Sequence, residues 1–100
     1  MSWKKMLLDG DAGGGAVLEG TVDVNPPSIA KASTLNIDVA VAGITPGHTV
    51  FAQCQSDLET GLSCIAVYSP ANDVLRIRIS NWSSSAIDGA QRTWAYQAYS

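Results

Sequence analysis

The sequence predicts an all-β fold, a compact antiparallel β-sandwich of jelly-roll-like type with a short flexible N-terminal arm. Three observations carry this. TLNIDVAV (34–41) and DVLRIRIS (73–80) alternate apolar and polar side chains with a period of two. Four further segments are dominated by β-branched and aromatic residues. Turn chemistry punctuates the chain, and no apolar stripe of helical period and useful length appears.

Residues 1–15 are read as an N-terminal docking arm and hinge, and residues 16–100 as the sandwich domain. SWKKMLL is short, amphipathic and basic, and DGDAGGG after it suits no regular element. The strands then follow in order. AVLEGTVDV (16–24) begins the series. In TLNIDVAV, Leu35, Ile37, Val39 and Val41 share one face and Thr34, Asn36, Asp38 and Ala40 the other. HTVFAQCQ (48–55) and SCIAVYS (63–69) come next. In DVLRIRIS, Leu75, Ile77 and Ile79 point inward, with Val74, Arg76, Arg78 and Ser80 outward, and RTWAYQAY (92–99) closes the series. The breaks between strands are NPPS, AGITPG, ETG, SPAND and DG. SDLETGL (56–62) has room for one helical turn and no more. Alternation alone leaves the strand order open between a jelly roll and an immunoglobulin-like sandwich.

Composition narrows the function. At 100 residues the chain is one domain, 46% hydrophobic and 15% charged, and therefore globular. Six Lys and Arg against nine Asp and Glu give a net charge of −3. Clustered cations are missing, which argues against a nucleic-acid partner. No stretch approaches the roughly 20 apolar residues of a membrane helix, and the apolar run Met6 to Leu8 is far too short for a secretory signal. No membrane partner is expected, and the chain is read as made and folded in a cytoplasm.

LLDGDAGGGAVLEG (7–20) invites three readings: a phosphate cradle, a calcium loop or a hinge. No Lys-Ser or Lys-Thr follows its glycines, so it is no Walker loop. Asp9 and Asp11 start like an EF-hand, yet Gly13 replaces the third ligand and no glutamate stands at the twelfth position. The β-alternation downstream excludes a dinucleotide fingerprint. What remains is a hinge at Gly10, Gly13, Gly14 and Gly15. Trp3, Lys4, Lys5, Met6, Leu7 and Leu8 precede it as a docking segment, since apolar side chains on an arm need a surface to bury against.

No metal and no cofactor are expected. Cys54 and Cys64 with one histidine, His48, do not make a zinc set. The cysteines read as two small buried thiols. A disulfide is the alternative, since they flank one loop, but a reducing compartment argues against it. His48 follows Pro46-Gly47 in a turn and lacks a nucleophile set, and Asp57, Glu59 and Asp88 read as solvated loop carboxylates. Catalysis is not expected. Arg76 and Arg78, adjacent cations on one outer face, read as a solvating pair or as partners for acids on a neighbouring chain. Trp94 is expected in the core, and Trp82, in SNWSSS, as part anchor and part contact residue. Arg76, Arg78 and Trp82 are thus candidate subunit-interface residues.

From Pro26 onward PPSIA, TLNIDVAVAGITPGHTV, LETGLSCIAVYS and VLRIRISNWSSSAIDGAQRTWAY occur in order. This string resembles a group of small β-sandwich domains in the virion proteins of tailed bacteriophages, over about three quarters of the chain. The matching texture falls on Pro27 to Ala30, Val39 to Gly43, Gly47 to Val50, Leu58 to Leu62, Arg78 to Asn81, Ile87-Asp88 and Thr93-Trp94. Two departures stand out: His48 takes a position often acidic in that group, and the two cysteines lie outside its pattern. The resemblance implies a trimeric structural protein. A start at methionine, an end just after the last strand and no heptad for a fibre shaft favour a capsid decoration protein on the outer surface of the head. It would dock to the major capsid protein through its arm. The other implied role is a tail-fibre or appendage head that binds a host-surface receptor or glycan, with Trp82, Tyr68 and Asn81 as candidates. A depolymerase, needing a carboxylate pair and a cleft, is disfavoured.

Overall fold

The computed structural model describes residues 17–100. The predicted arm, its anchor residues Trp3 to Leu8 and its hinge glycines Gly10 and Gly13 to Gly15 lie outside the described residues. Within them the chain forms β1 (Val17–Val24), β2 (Ser33–Ala40), β3 (Thr49–Cys54), β4 (Leu62–Ala71), β5 (Val74–Asn81) and β6 (Arg92–Tyr99). Each lies within two residues of a segment that the alternation marks. The segment over 56–62 forms no helical turn; it ends in a tight turn at Thr60-Gly61, closed by Leu62 N–H donating to the Glu59 carbonyl at 3.0 Å.

The strands make two three-stranded antiparallel sheets, ordered β1-β6-β3 and β2-β5-β4, packed as a sandwich. The first strand pairs with the last and the second with the last but one. That nesting is the one a jelly roll builds from eight strands, carried out here with six. β1 lies against β2 across the sandwich, and β3 against β4.

The period of two builds the core. Val39, Ile37 and Leu35 of β2 stand opposite Leu75, Ile77 and Ile79 of β5. Those three β5 residues are sealed from solvent, as is Trp94 on the facing sheet. Each such side chain contributes about 1.5–3 kcal/mol relative to leaving it exposed. Three isoleucines from the connections complete the interior. Ile29 and Ile87 exchange backbone hydrogen bonds (2.9 and 3.0 Å) at the end where β1, β3 and β5 terminate. Ile44 is pinned at the other end, where Asp73 N–H donates to its carbonyl at 2.7 Å. Asp73 adopts φ = 65° in the two-residue β4–β5 turn, and its Oδ1 accepts from Gly43 N–H at 2.8 Å.

Edge strand β4 carries two register shifts. The first, between Cys64 and Ala66, leaves Ile65 unpaired and moves the inward positions from Cys64 to Val67. Pro70, which has no N–H to give, falls in the second, where a strand tolerates it.

One expectation is corrected here. Ser80 sits on the outer row of β5, but it is buried, because Thr34 Oγ1 on β2 stands 2.7 Å from its hydroxyl and closes over it.

Candidate interaction site

A cleft of about 910 Å³ opens between the β1-β6-β3 sheet and β4. Its floor is a tyrosine flanked by two small residues. Register places Gly20 beside Tyr96, and Tyr96 beside Ala52, across the inner face of that sheet. Gly20 contributes no side chain, so the Tyr96 ring folds over it, with the phenol oxygen 3.0 Å from where a Cβ would stand. Val50 and Ala52 continue the wall, and Cys64 and Val67 face them from β4. Phe51 and Ile65 stand at the rim, 61% and 48% exposed. Phe51 also meets the Tyr99 ring edge-on, with centroids 6.0 Å apart.

The cysteines are corrected from the sequence reading. Neither is fully buried: Cys54 is half-buried against the core, and Cys64 is exposed where it lines the cleft. The partial desolvation that remains still holds the Cys64 thiol above the ordinary value, against the lowering effect of the Ala66 contact, and a charge on Cys54 adds to the rise.

The outer face of the other sheet holds Arg76 and Arg78. Arg76 Nε and Nη2 donate to the two carboxylate oxygens of Asp38 at 2.7 and 3.0 Å, and that fork holds the Asp38 carboxyl below its usual range. Arg78 Nε donates to Asn36 Oδ1 at 2.8 Å. Both guanidinium groups also donate to the Tyr68 hydroxyl, at 3.4 and 3.1 Å, with their carbons 5.8 and 5.7 Å from its ring centre. The strand registers create this ladder, since Asp38, Arg76 and Tyr68 are cross-strand neighbours. From alternation alone their partners are water or the acids of another chain. Here Arg76 and Arg78 are matched by groups of their own chain.

Trp82, the third candidate interface residue, is 71% exposed just past β5. Its neighbour Asn81 is only 1% exposed and is spent on structure. The Asn81 amide donates to the carbonyls of Ile29 and Ser85, both at 2.9 Å, and its oxygen accepts from Ser83 N–H and Oγ at 2.9 and 2.7 Å. That fixes the NWSSS loop with the indole outward. It also removes Asn81 from the candidates for glycan contact.

The remaining titratable candidates are placed apart. His48 Nδ1 accepts from Thr45 N–H at 3.0 Å while His48 N–H returns a bond to the Thr45 carbonyl, so the ring caps its own turn. Glu59 is not the solvated carboxylate the sequence suggests, being joined to Arg92 at 3.0 Å. Asp57 and Asp88 are exposed and lie outside the cleft lining. Among the described residues no group of three or more metal-ligating side chains converges.

The cleft was not foreseen from the sequence. Its one signal is Gly20 inside a strand, a residue that marks either a bulge or a close approach. The arrangement is suited to contact: apolar side chains at a rim, an exposed indole and, among the described residues, edge strands with no further strand beside them. Comparison with family models, with curated proteins and with solved structures finds no match for this chain.

Proposed function

We propose that the chain is a non-enzymatic phage virion structural protein, a capsid decoration protein that trimerises on the head and docks to the major capsid protein through Trp3 to Leu8. The observation that carries this reading is the exposure of Phe51, Ile65 and Trp82 on so small a body. Large apolar side chains left in water around uncovered sheet edges mark surfaces meant to be covered by protein. The sequence resemblance supplies the setting, and the basic, apolar segment before the glycines supplies the anchor. In such a coat each copy adds a small contact, and multivalency makes attachment effectively permanent.

The test is deletion of residues 2–8 followed by co-sedimentation with undecorated shells. The shortened protein is expected to stay a folded trimer in the ultracentrifuge and to remain in the supernatant. Sedimentation with shells at the level of the full chain would overturn the anchor.

Trp82 favours one second reading, a fibre or appendage head that binds a host-surface glycan, because an indole 71% exposed can serve as a stacking platform. Gold labelling of intact particles separates the two. Label over heads supports the coat, and label at tail tips supports the receptor binder.

A further inference from the structure

Cys54 ends β3 and Cys64 stands near the start of β4, joined by the connection over residues 55–61. Register sets Cys54 beside Trp94 and Cys64 beside Ile79, both buried core residues. Both thiols therefore project from the inward rows of the two sheets, on edge strands that lie against each other. Both are free. Each sulfur has only a weak partner, Ser56 Oγ at 3.9 Å for Cys54 and the Ala66 carbonyl at 3.7 Å for Cys64, so leaving those partners costs little. The two sulfurs are also near enough for a charge on one to act on the other.

We propose that Cys54 and Cys64 are a closable dithiol, and that their oxidation by a small-molecule disulfide of the glutathione class ties β3 to β4 beside the cleft. One protein thiolate attacks a sulfur of the oxidised glutathione and expels one glutathione thiolate, leaving a mixed disulfide. The second protein thiolate then attacks the protein sulfur of that mixed disulfide and expels the other glutathione thiolate. Two protein thiols are oxidised to one disulfide, one glutathione disulfide is reduced to two thiols, and the two protons released go to the departing thiolates. The held-up Cys64 thiol makes the reaction faster as pH rises. Closed, the bond stops the two edges from parting, so the cleft can no longer widen on that side. Reduced, β3 and β4 share no sheet hydrogen bonds and are held by packing and by the connection over residues 55–61. This property is independent of any role on a virion.

The test uses the full chain incubated with oxidised glutathione and read by intact mass and thermal unfolding, with Cys54→Ser and Cys64→Ser alongside. The expected wild-type product is a monomeric chain lighter by two hydrogens and carrying no glutathione. Its melting temperature should rise by about 10 °C and return on reduction by dithiothreitol. Each single variant should instead hold one glutathione on its remaining thiol, which shows that the missing partner is what resolves the adduct. A wild type that keeps a glutathione adduct, links two chains together or stays fully reduced would overturn the proposal.

Discussion

Arg92 Nη2 lies 3.0 Å from Glu59 Oε2, and the same oxygen accepts the Ala90 N–H at 2.8 Å. One carboxylate thereby fastens the β3–β4 connection to the start of β6. The Ala90 hydrogen bond first, and then the Arg92 bond, pull the Glu59 carboxyl down to about 2. Its folded value is therefore depressed, so its stabilisation is fully present above the ordinary value of 4.5 and is lost as pH falls from there through about 2. In urea unfolding, Glu59→Gln is expected to cost about 1 kcal/mol at neutral pH. The variant and the wild type should converge at the acid end. A constant difference across that range would mean that the carboxylate charge contributes nothing.

Asn81 should prove among the costliest polar side chains to remove. Its truncation to Ala takes one of two donors from each of the Ile29 and Ser85 carbonyls, which keep Ile87 N–H and Ser83 Oγ, and leaves the Ser83 N–H without its partner. A loss of about 3 kcal/mol is expected from chemical denaturation. Proteolysis in the loop over residues 82–91 should accelerate with it. A cost below that of an ordinary surface change would show the network to be replaceable by water.

Gly61 has φ = 102°, and an added Cβ would stand 3.0 Å from Ser83 Cβ and 3.1 Å from Ile87 Cδ1. Both the left-handed backbone and the space are closed to alanine. Gly61→Ala is expected to lower stability by about 2 kcal/mol. Gly47→Ala meets only the Thr45 hydroxyl at an ordinary 3.6 Å and should shift the unfolding midpoint very little.

Ile65 and Trp82 contribute little to the fold, so polar replacements there should change stability by no more than about 0.5 kcal/mol, and Phe51→Ser by about 1 kcal/mol through its lost contact with Tyr99. Their effect belongs in association. Sedimentation equilibrium of the double variant Phe51→Ser, Ile65→Ser, and separately of Trp82→Ser, should show self-association weakened at least about tenfold in one of the two. Unchanged association in both would remove these residues from the subunit contact.

The strands were legible because the sequence repeats its polarity every second residue. Leu35, Ile37 and Val39 face inward beside Ile79, Ile77 and Leu75 as the alternation requires, and Trp94 is buried as expected. The loop contribution to the core was not legible. Ile29, Ile44 and Ile87 stand among prolines, glycines and aspartates, where one apolar residue carries no period. Asn81 was misread for a related reason: NWSSS reads alike whether its amide faces a ligand or its own loop. The same holds for Arg76, whose partner Asp38 lies 38 residues away and reaches it only through strand register. The cleft depends on how far two sheets part, a distance that the periodicity of a single strand does not encode.

The nested pairing also sets an order of events during synthesis. β4 and β5 can zip through a two-residue turn as soon as they leave the ribosome, whereas Val17 must wait for Tyr99, 82 residues later. Because β6 is the middle strand of its sheet, β1 and β3 have no neighbour there until residues 92–99 emerge. The nascent chain therefore carries β1 unpaired through most of its translation, and β3 with it from residue 54 onward. Such non-local closure makes for slow folding and a long window of exposure to aggregation.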